Sequence, residues 1–201
     1  MAGRLTVLPD ERFLALRPVL RERLREAARS LAGGAFTEFF DRAMRSLLVD
    51  GFGRTGAHEG TVWLLDEARE ALVPRFNSGP NAAEFVGSYR QSLRSGMISM
   101  VVAMEQPICE NDVFKNEQQD KTLDQKLAVR TWAMLAVPFY YVGELRGVIT
   151  AVQLVPADNG TPEPPGFRPE HLDKLQLTTA LLGRLIESQL LALCLGLEEM
   201  A

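Results

Sequence analysis

Trp132-Ala133-Met134-Leu135-Ala136-Val137-Pro138-Phe139-Tyr140-Tyr141, then Val142-Gly143-Glu144, then Leu145-Arg146-Gly147-Val148-Ile149-Thr150-Ala151-Val152-Gln153-Leu154-Val155, is the part of this 201-residue chain that decides its fold. Two runs dense in Val, Leu, Ile, Phe and Tyr around a short glycine-containing turn predict a tight antiparallel hairpin at the centre of a sheet. Residues 61–65 and 72–76 are shorter runs of the same kind on either side of the charged residues 66–70, and predict a second hairpin. Pro74 has no amide to donate, so its strand is expected at an edge or with a bulge. A brief strand is expected at 107–109.

Helical periodicity flanks these strands. Phe13, Leu16, Leu20, Leu24, Ala27 and Leu31 recur at the spacing of one helical face, predicting an amphipathic helix that Pro18 divides and Gly33-Gly34 ends. A second helix is expected over 37–49, closed by Gly51, Gly53 and Gly56, a third over 82–93, and a short buried one over 97–104. In that short helix Met97, Met100 and Met104 share a face and read as core. Residues 110–126 are polar and read as a surface loop with a short helix, and 156–165 as a proline-rich loop. From Phe167 a helical pattern runs to Leu197. Its last turns, with Leu190, Leu191, Leu193, Cys194, Leu195 and Leu197, are apolar over most of the circumference, which implies a partner helix. A homodimer is therefore expected, with Leu20, Leu24, Leu182, Ile186, Leu190, Leu193 and Leu197 at its contact.

Composition narrows the function. The chain is 46% hydrophobic and 24% charged, ordinary for a globular domain. Lys and Arg number 22 against 26 Asp and Glu, a net charge of −4 that gives little attraction for a phosphate backbone, so no nucleic-acid partner is expected. No apolar leader is read at the N-terminus and no stretch is read as a membrane span, so the expected location is the cytoplasm, with no membrane partner. Cys109 and Cys194 share no short spacing and support neither a disulfide framework nor a zinc site. His58 and His171 lie beside no Cys or Ser motif and read as surface or capping residues.

Two helices, a hairpin, a helical crossover, a strong hairpin and a final helix describe an α+β fold: a central antiparallel or mixed sheet of five or six strands, helices on its faces and a long terminal helix. Residues 1–34 read as an amphipathic extension, 35–188 as the domain, and 189–201 as the end of the last helix and a dimer contact. Over about residues 37–188 the chain resembles the GAF domains of phosphodiesterases, histidine kinases and phytochromes. The likeness rests on Thr61-Val62-Trp63-Leu64-Leu65-Asp66, Gly96-Met97-Ile98-Ser99, Pro107-Ile108-Cys109-Glu110-Asn111-Asp112, residues 129–138, and Gly143-Glu144-Leu145-Arg146-Gly147-Val148-Ile149, with Pro138 and Gly147-Val148 the most telling.

The resemblance implies a ligand pocket. Carried over from the cyclic-nucleotide-binding members, the stacking phenylalanine falls on Phe76, the purine-reading position on Asn77, the backbone contacts on Ile98 and Ser99, and the ribose-phosphate residues on Asp124 and Thr131. Leu127 stands in place of a threonine and Thr150 in place of a glutamate, and the family's Asn-Lys…Phe…Asp-Glu signature is missing, so the resemblance carries the fold further than it carries a cyclic nucleotide. Read from the residues alone, Phe76-Asn77 is either a stacking platform beside an amide or a core phenylalanine before a turn. Asp112, Asp124, Arg130 and Thr131 either ring a pocket mouth or form a solvated loop and the start of a strand. Arg130 has the fork suited to an anion.

No enzyme is expected: the branch of the family that reduces free methionine sulfoxide carries paired cysteines at pocket positions that are not cysteine here. The expectation is a stand-alone, non-catalytic signalling module. It binds no certain cofactor, with a nucleotide-like or other small planar ligand as the candidate, and relays binding through dimerising helices to a separate effector protein. The alternative is a protein–protein adaptor whose pocket is filled by its own side chains.

Overall fold

The computed structural model describes residues 10–156 and 162–197. The expected proline-rich loop and the outer ends of the two terminal segments fall partly on 1–9, 157–161 and 198–201, outside the described residues. In chain order the elements are α1 (Glu11–Leu14), α2 (Arg17–Ser30), α3 (Phe36–Phe39), α4 (Arg42–Thr55), β1 (Glu59–Leu65), β2 (Ala71–Asn77), α5 (Ala82–Phe85), β3 (Gln91–Ser92), α6 (Met97–Met104), β4 (Ile108–Glu110), α7 (Thr122–Lys126), β5 (Val129–Tyr141), β6 (Glu144–Pro156) and α8 (Pro169–Leu195). Pro18 sits in the first turn of α2, as expected, and the chain kinks at Gly33 (φ −81°, ψ −154°) before α3.

One antiparallel six-stranded sheet has the order β3-β2-β1-β6-β5-β4. The expected strong hairpin, β5–β6, lies inside it, and β6 pairs on its other side with β1. The close approach of β1 and β6 requires Gly147, where any Cβ would collide with the Trp63 carbonyl oxygen. Pro74 is accommodated as expected: the register shifts between Val62 and Trp63, so that β2 bulges beside the proline.

Two cores lie on the two faces. On one, α2, α4 and α8 cover Val62, Leu64, Phe76, Leu135, Val137, Phe139 and Ile149 with Ala28, Met44, Leu48, Phe52, Leu175, Leu182, Ile186 and Leu190. On the other, Trp63, Leu72, Met134, Ala136 and Val148 pack against Met97, Ile98 and Val101 of α6 and against Val113.

Several expectations are corrected. The helix expected over 37–49 is two, because the Asp41 carboxylate accepts from the Met44 amide and caps a new start; Gly51 and Gly53 lie inside α4, and only Gly56 ends it. The helix expected over 82–93 stops after one turn, since Gln91 and Ser92 pair with β2 instead. Of the expected methionine stripe Met97 is buried, but Met100 and Met104 are exposed, and α6 turns Met97, Ile98 and Val101 to the sheet.

The dimer contact is corrected as well. Leu182, Ile186 and Leu190 belong to the chain's own core, Leu24 packs against that core, and Leu20 is half-buried; only Leu193 and Leu197 of that set are exposed. By length and composition α8 is also apolar enough to cross a bilayer, contrary to the expectation for the sequence, yet its Leu175, Leu182, Ile186 and Leu190 are covered by the sheet and α4.

Candidate functional site

Strand alternation builds the floor of a cavity on the α6 side of the sheet. Glu59, Thr61 and Trp63 of β1 and Thr150, Val152 and Leu154 of β6 point the same way with period two. In β5 the register shifts between Thr131 and Ala133, leaving Trp132 as an extra residue, so Thr131 and Met134 both face the cavity three positions apart. The roof comes from Met97 and Ile98 at the start of α6, Val113, and the polar segment through Gln119, Asp120, Leu123 and Asp124. Gly96, at φ +98°, opens α6 at a backbone angle that L side chains rarely adopt. The space enclosed is about 100 Å³.

Its polar groups are mainly acceptors. The Asp124 carboxylate accepts from the Thr131 amide and hydroxyl and from Gln119 Nε2, each at 2.8 Å. With its amide nitrogen committed to Asp124, Gln119 leaves a buried Oε1 that accepts nothing among the described residues. Asp120 accepts from the Thr122 amide and hydroxyl and from Gln91, and the Thr122 bonds are the main reason its carboxyl lies below the usual range. Glu59 goes the other way: burial raises it, opposed by the Asn77 hydrogen bond and by His58. Tyr89, whose hydroxyl donates to Gln91, is pushed up to about 12 by burial and then by Asp120 and Asp124. Three carboxylates, Glu59, Asp120 and Asp124, line the space together with no Lys, Arg or His among the described residues. Trp63 Nε1, its indole donor, is spent on Thr150 Oγ1 at 3.1 Å.

Of the residues expected from the sequence, the structure brings Ile98, Asp124 and Thr131 together in this cavity. Asn77 stands behind it, donating to Glu59 Oε1 (3.2 Å) and Thr61 Oγ1 (2.9 Å) and so orienting two lining residues. The others are corrected. Phe76 points to the opposite face, 5.2 Å from the Phe40 ring, and is core. Ser99 donates to the carbonyls of Ser92 and Ser95 and braces the turn before α6. Asp112 is exposed and paired with Lys115. Arg130 lies outside the cavity, over the stacked rings of Phe114 and Trp132.

Glu59, Thr61, Gln91, Gln119, Asp120 and Thr150 were missed. For Glu59 the signal was present, since period two carried back from Thr61 and Trp63 places it on the same face. Thr150 was visible as the one hydroxyl between Ile149 and Ala151. Gln119 and Asp120 sit on irregular backbone, where no periodicity assigns a direction. Cys109 is exposed on β4, away from the cavity, and burial and then Glu110 raise its thiol.

A family model of the GAF domain matches residues 35–187. No curated protein matches the sequence. Among solved structures, the GAF domain of a phosphoenolpyruvate-protein phosphotransferase from Coxiella burnetii superposes with a TM-score of 0.59 at 18% identity, over 88% of this chain and 94% of that one. A GAF domain/HD domain protein from Geobacter sulfurreducens gives 0.58 at 16% identity, over 78% and 97%. A type II free methionine-R-sulfoxide reductase from Thermoplasma acidophilum gives 0.56 at 18% identity, over 76% and 95%. At these identities the likeness is one of fold.

Proposed function

Because this chain belongs to the GAF domain family, we propose that it is a non-catalytic signalling module whose cavity binds a small molecule presenting N–H donors or positive charge. GAF domains are commonly sensory, ligand-binding signalling modules, and the same fold also carries an enzyme, the Thermoplasma reductase, so the fold alone does not choose between the two. The observation that carries this reading is the acceptor-rich lining: Glu59, Asp120, Asp124 and the unmatched Gln119 Oε1, with no cationic side chain among the described lining residues. A buried acceptor without a donor costs about 1–3 kcal/mol, and a donor-bearing ligand would recover that at Gln119 Oε1. An anionic nucleotide phosphate is a poor match, and Arg130, the expected anion contact, is elsewhere. The position of both cysteines off the lining supports a binding rather than a thiol-redox role.

Occupancy would add contacts to the 113–126 segment, which Asp124 already joins to β5 through Thr131. It would then bias how α2 and α8 pack in a homodimer and so signal to a separate intracellular effector. The contact we assign to the dimer is the outward stripe Leu177, Leu181 and Leu185, exposed by 63, 46 and 38%. A second reading, an adaptor with a self-filled pocket, is favoured by the size of the cavity, well below the ~300–1,000 Å³ of drug-sized ligand sites.

Native mass spectrometry of the purified protein and of Asp124→Ala separates the two. A retained amine or cation lost in Asp124→Ala establishes the sensor. An adduct-free protein that still engages its effector, and fails to do so in Leu181→Asp, establishes the adaptor.

A further inference from the structure

A second hollow, of about 460 Å³, lies where the end of α2 meets the β1–β2 and β5–β6 turns. Arg29, Arg69 and Arg146 converge on it, with Asp66, Glu67, Glu144 and Tyr141 also in its wall. Its deepest charge is Arg146, 7% exposed. Arg146 Nε and Nη2 are buried without a hydrogen-bond acceptor among the described residues. Nη2 is 2.9 Å from Glu144 Oε2, an ion pair outside hydrogen-bonding geometry, and the guanidinium carbon stands 5.4 Å from the Tyr141 ring centroid.

Glu144 is a divided counter-ion, since Arg25 Nε also approaches it at 4.0 Å. A buried guanidinium is normally met by matched acceptors, because removing it from water is expensive unless hydrogen bonds and opposite charge replace the hydration. Here that replacement is incomplete.

The other two arginines are no better served. Arg69 is held at φ +55° in the β1–β2 turn, and its Nη1 makes one long bond, 3.4 Å, to the Leu145 carbonyl. Arg29 is exposed and 3.9 Å from Glu22. Asp66, itself in the wall, is committed to Arg90 and to the amides of Glu70 and Ala71. Glu67 is exposed at the margin.

We propose that this hollow is a binding site for a small oxyanion, a phosphate or carboxylate group, held by Arg29, Arg69 and Arg146. Planar guanidinium forks suit both oxyanions. The site is separate from the acceptor-lined cavity, has the opposite charge preference, and does not depend on the function proposed above. Because Arg29 belongs to α2, Arg69 to the β1–β2 turn and Arg146 to β6, a bound anion would tie the N-terminal helix to two strands of the sheet.

Isothermal titration calorimetry of the whole chain with inorganic phosphate, and separately with malonate, at low and constant ionic strength tests this. Saturable binding of either anion, weakened about tenfold or more in the Arg29→Gln/Arg69→Gln double variant, is the expected result; the preference between the two anions identifies the oxyanion. Both substituted side chains are exposed, so that variant keeps its fold, and unchanged thermal unfolding without phosphate verifies it. Arg146→Gln should abolish binding where it folds. Absence of saturable binding by both anions, or equal affinity in the double variant, overturns the proposal.

Discussion

Asp124 accepts from two side chains and one amide, and that placement makes a local prediction. Asp124→Ala leaves the buried Thr131 hydroxyl and amide without their acceptor, so urea unfolding should show a loss of about 1–3 kcal/mol as well as loss of ligand. Glu59 makes a prediction of opposite sign. Burial raises its carboxyl above the ordinary 4.5, so the folded protein holds that proton more tightly than the unfolded chain does. Stability therefore falls as pH climbs from about that ordinary value through the raised one, and levels off above it. Glu59→Gln, which can still accept from Asn77, should flatten that decline and unfold at a higher temperature at neutral pH; a melting curve taken from pH 4 to 7 reads both. The same substitution should weaken a cationic ligand, a trade of stability against binding. Asp124 and Thr131 came from the resemblance, and the residues alone left them as either a pocket mouth or a solvated loop and the start of a strand. Phe76, placed at the stacking position by the resemblance and left by the residues alone as either platform or core, is core: alternation within a strand says which residues share a face, and only the sheet says which face that is.

At the scale of elements, the hairpins were legible because turn chemistry and period two are local properties. The helices were less so. Residues 37–49 have one apolar period, yet Asp41 starts a new helix in the middle of it, and residues 82–93 lose their helix to a strand pairing made with β2. Packing between elements sets two measurable costs. Gly147→Ala drives a methyl group into the Trp63 carbonyl between β1 and β6, and should destabilise the fold by ~3 kcal/mol or more, the upper end for overpacking, seen as lost soluble protein or an early urea midpoint. On α8, Leu182→Ala should cost about 2–5 kcal/mol, because its side chain is fully covered, whereas Val49→Ala, on the exposed side of α4, should stay within about 0.5 kcal/mol in the same denaturation series.

For the whole molecule, the apolar excess of the last helix is divided between two uses. Its inner stripe closes the core, and its outer stripe, Leu177, Leu181 and Leu185, is left exposed. Sedimentation velocity should find a dimer that Leu181→Asp with Leu185→Asp converts to monomer while the cavity remains intact; a monomeric parent protein removes the relay from the proposal. Taken by itself, the sequence determined the α+β class, the two hairpins, the long last helix and the family, because each rests on local periodicity, turn residues or motif order. Tertiary structure alone decided which side of the sheet each residue serves and where charge gathers. Glu59, Gln119, Asp124, Thr131 and Thr150 become one acceptor-lined cavity only when β1, β5 and β6 lie side by side beneath the 113–126 segment. Leu182 becomes core rather than interface only when α8 lies on β5, since burial is a property of neighbours that no stretch of chain contains.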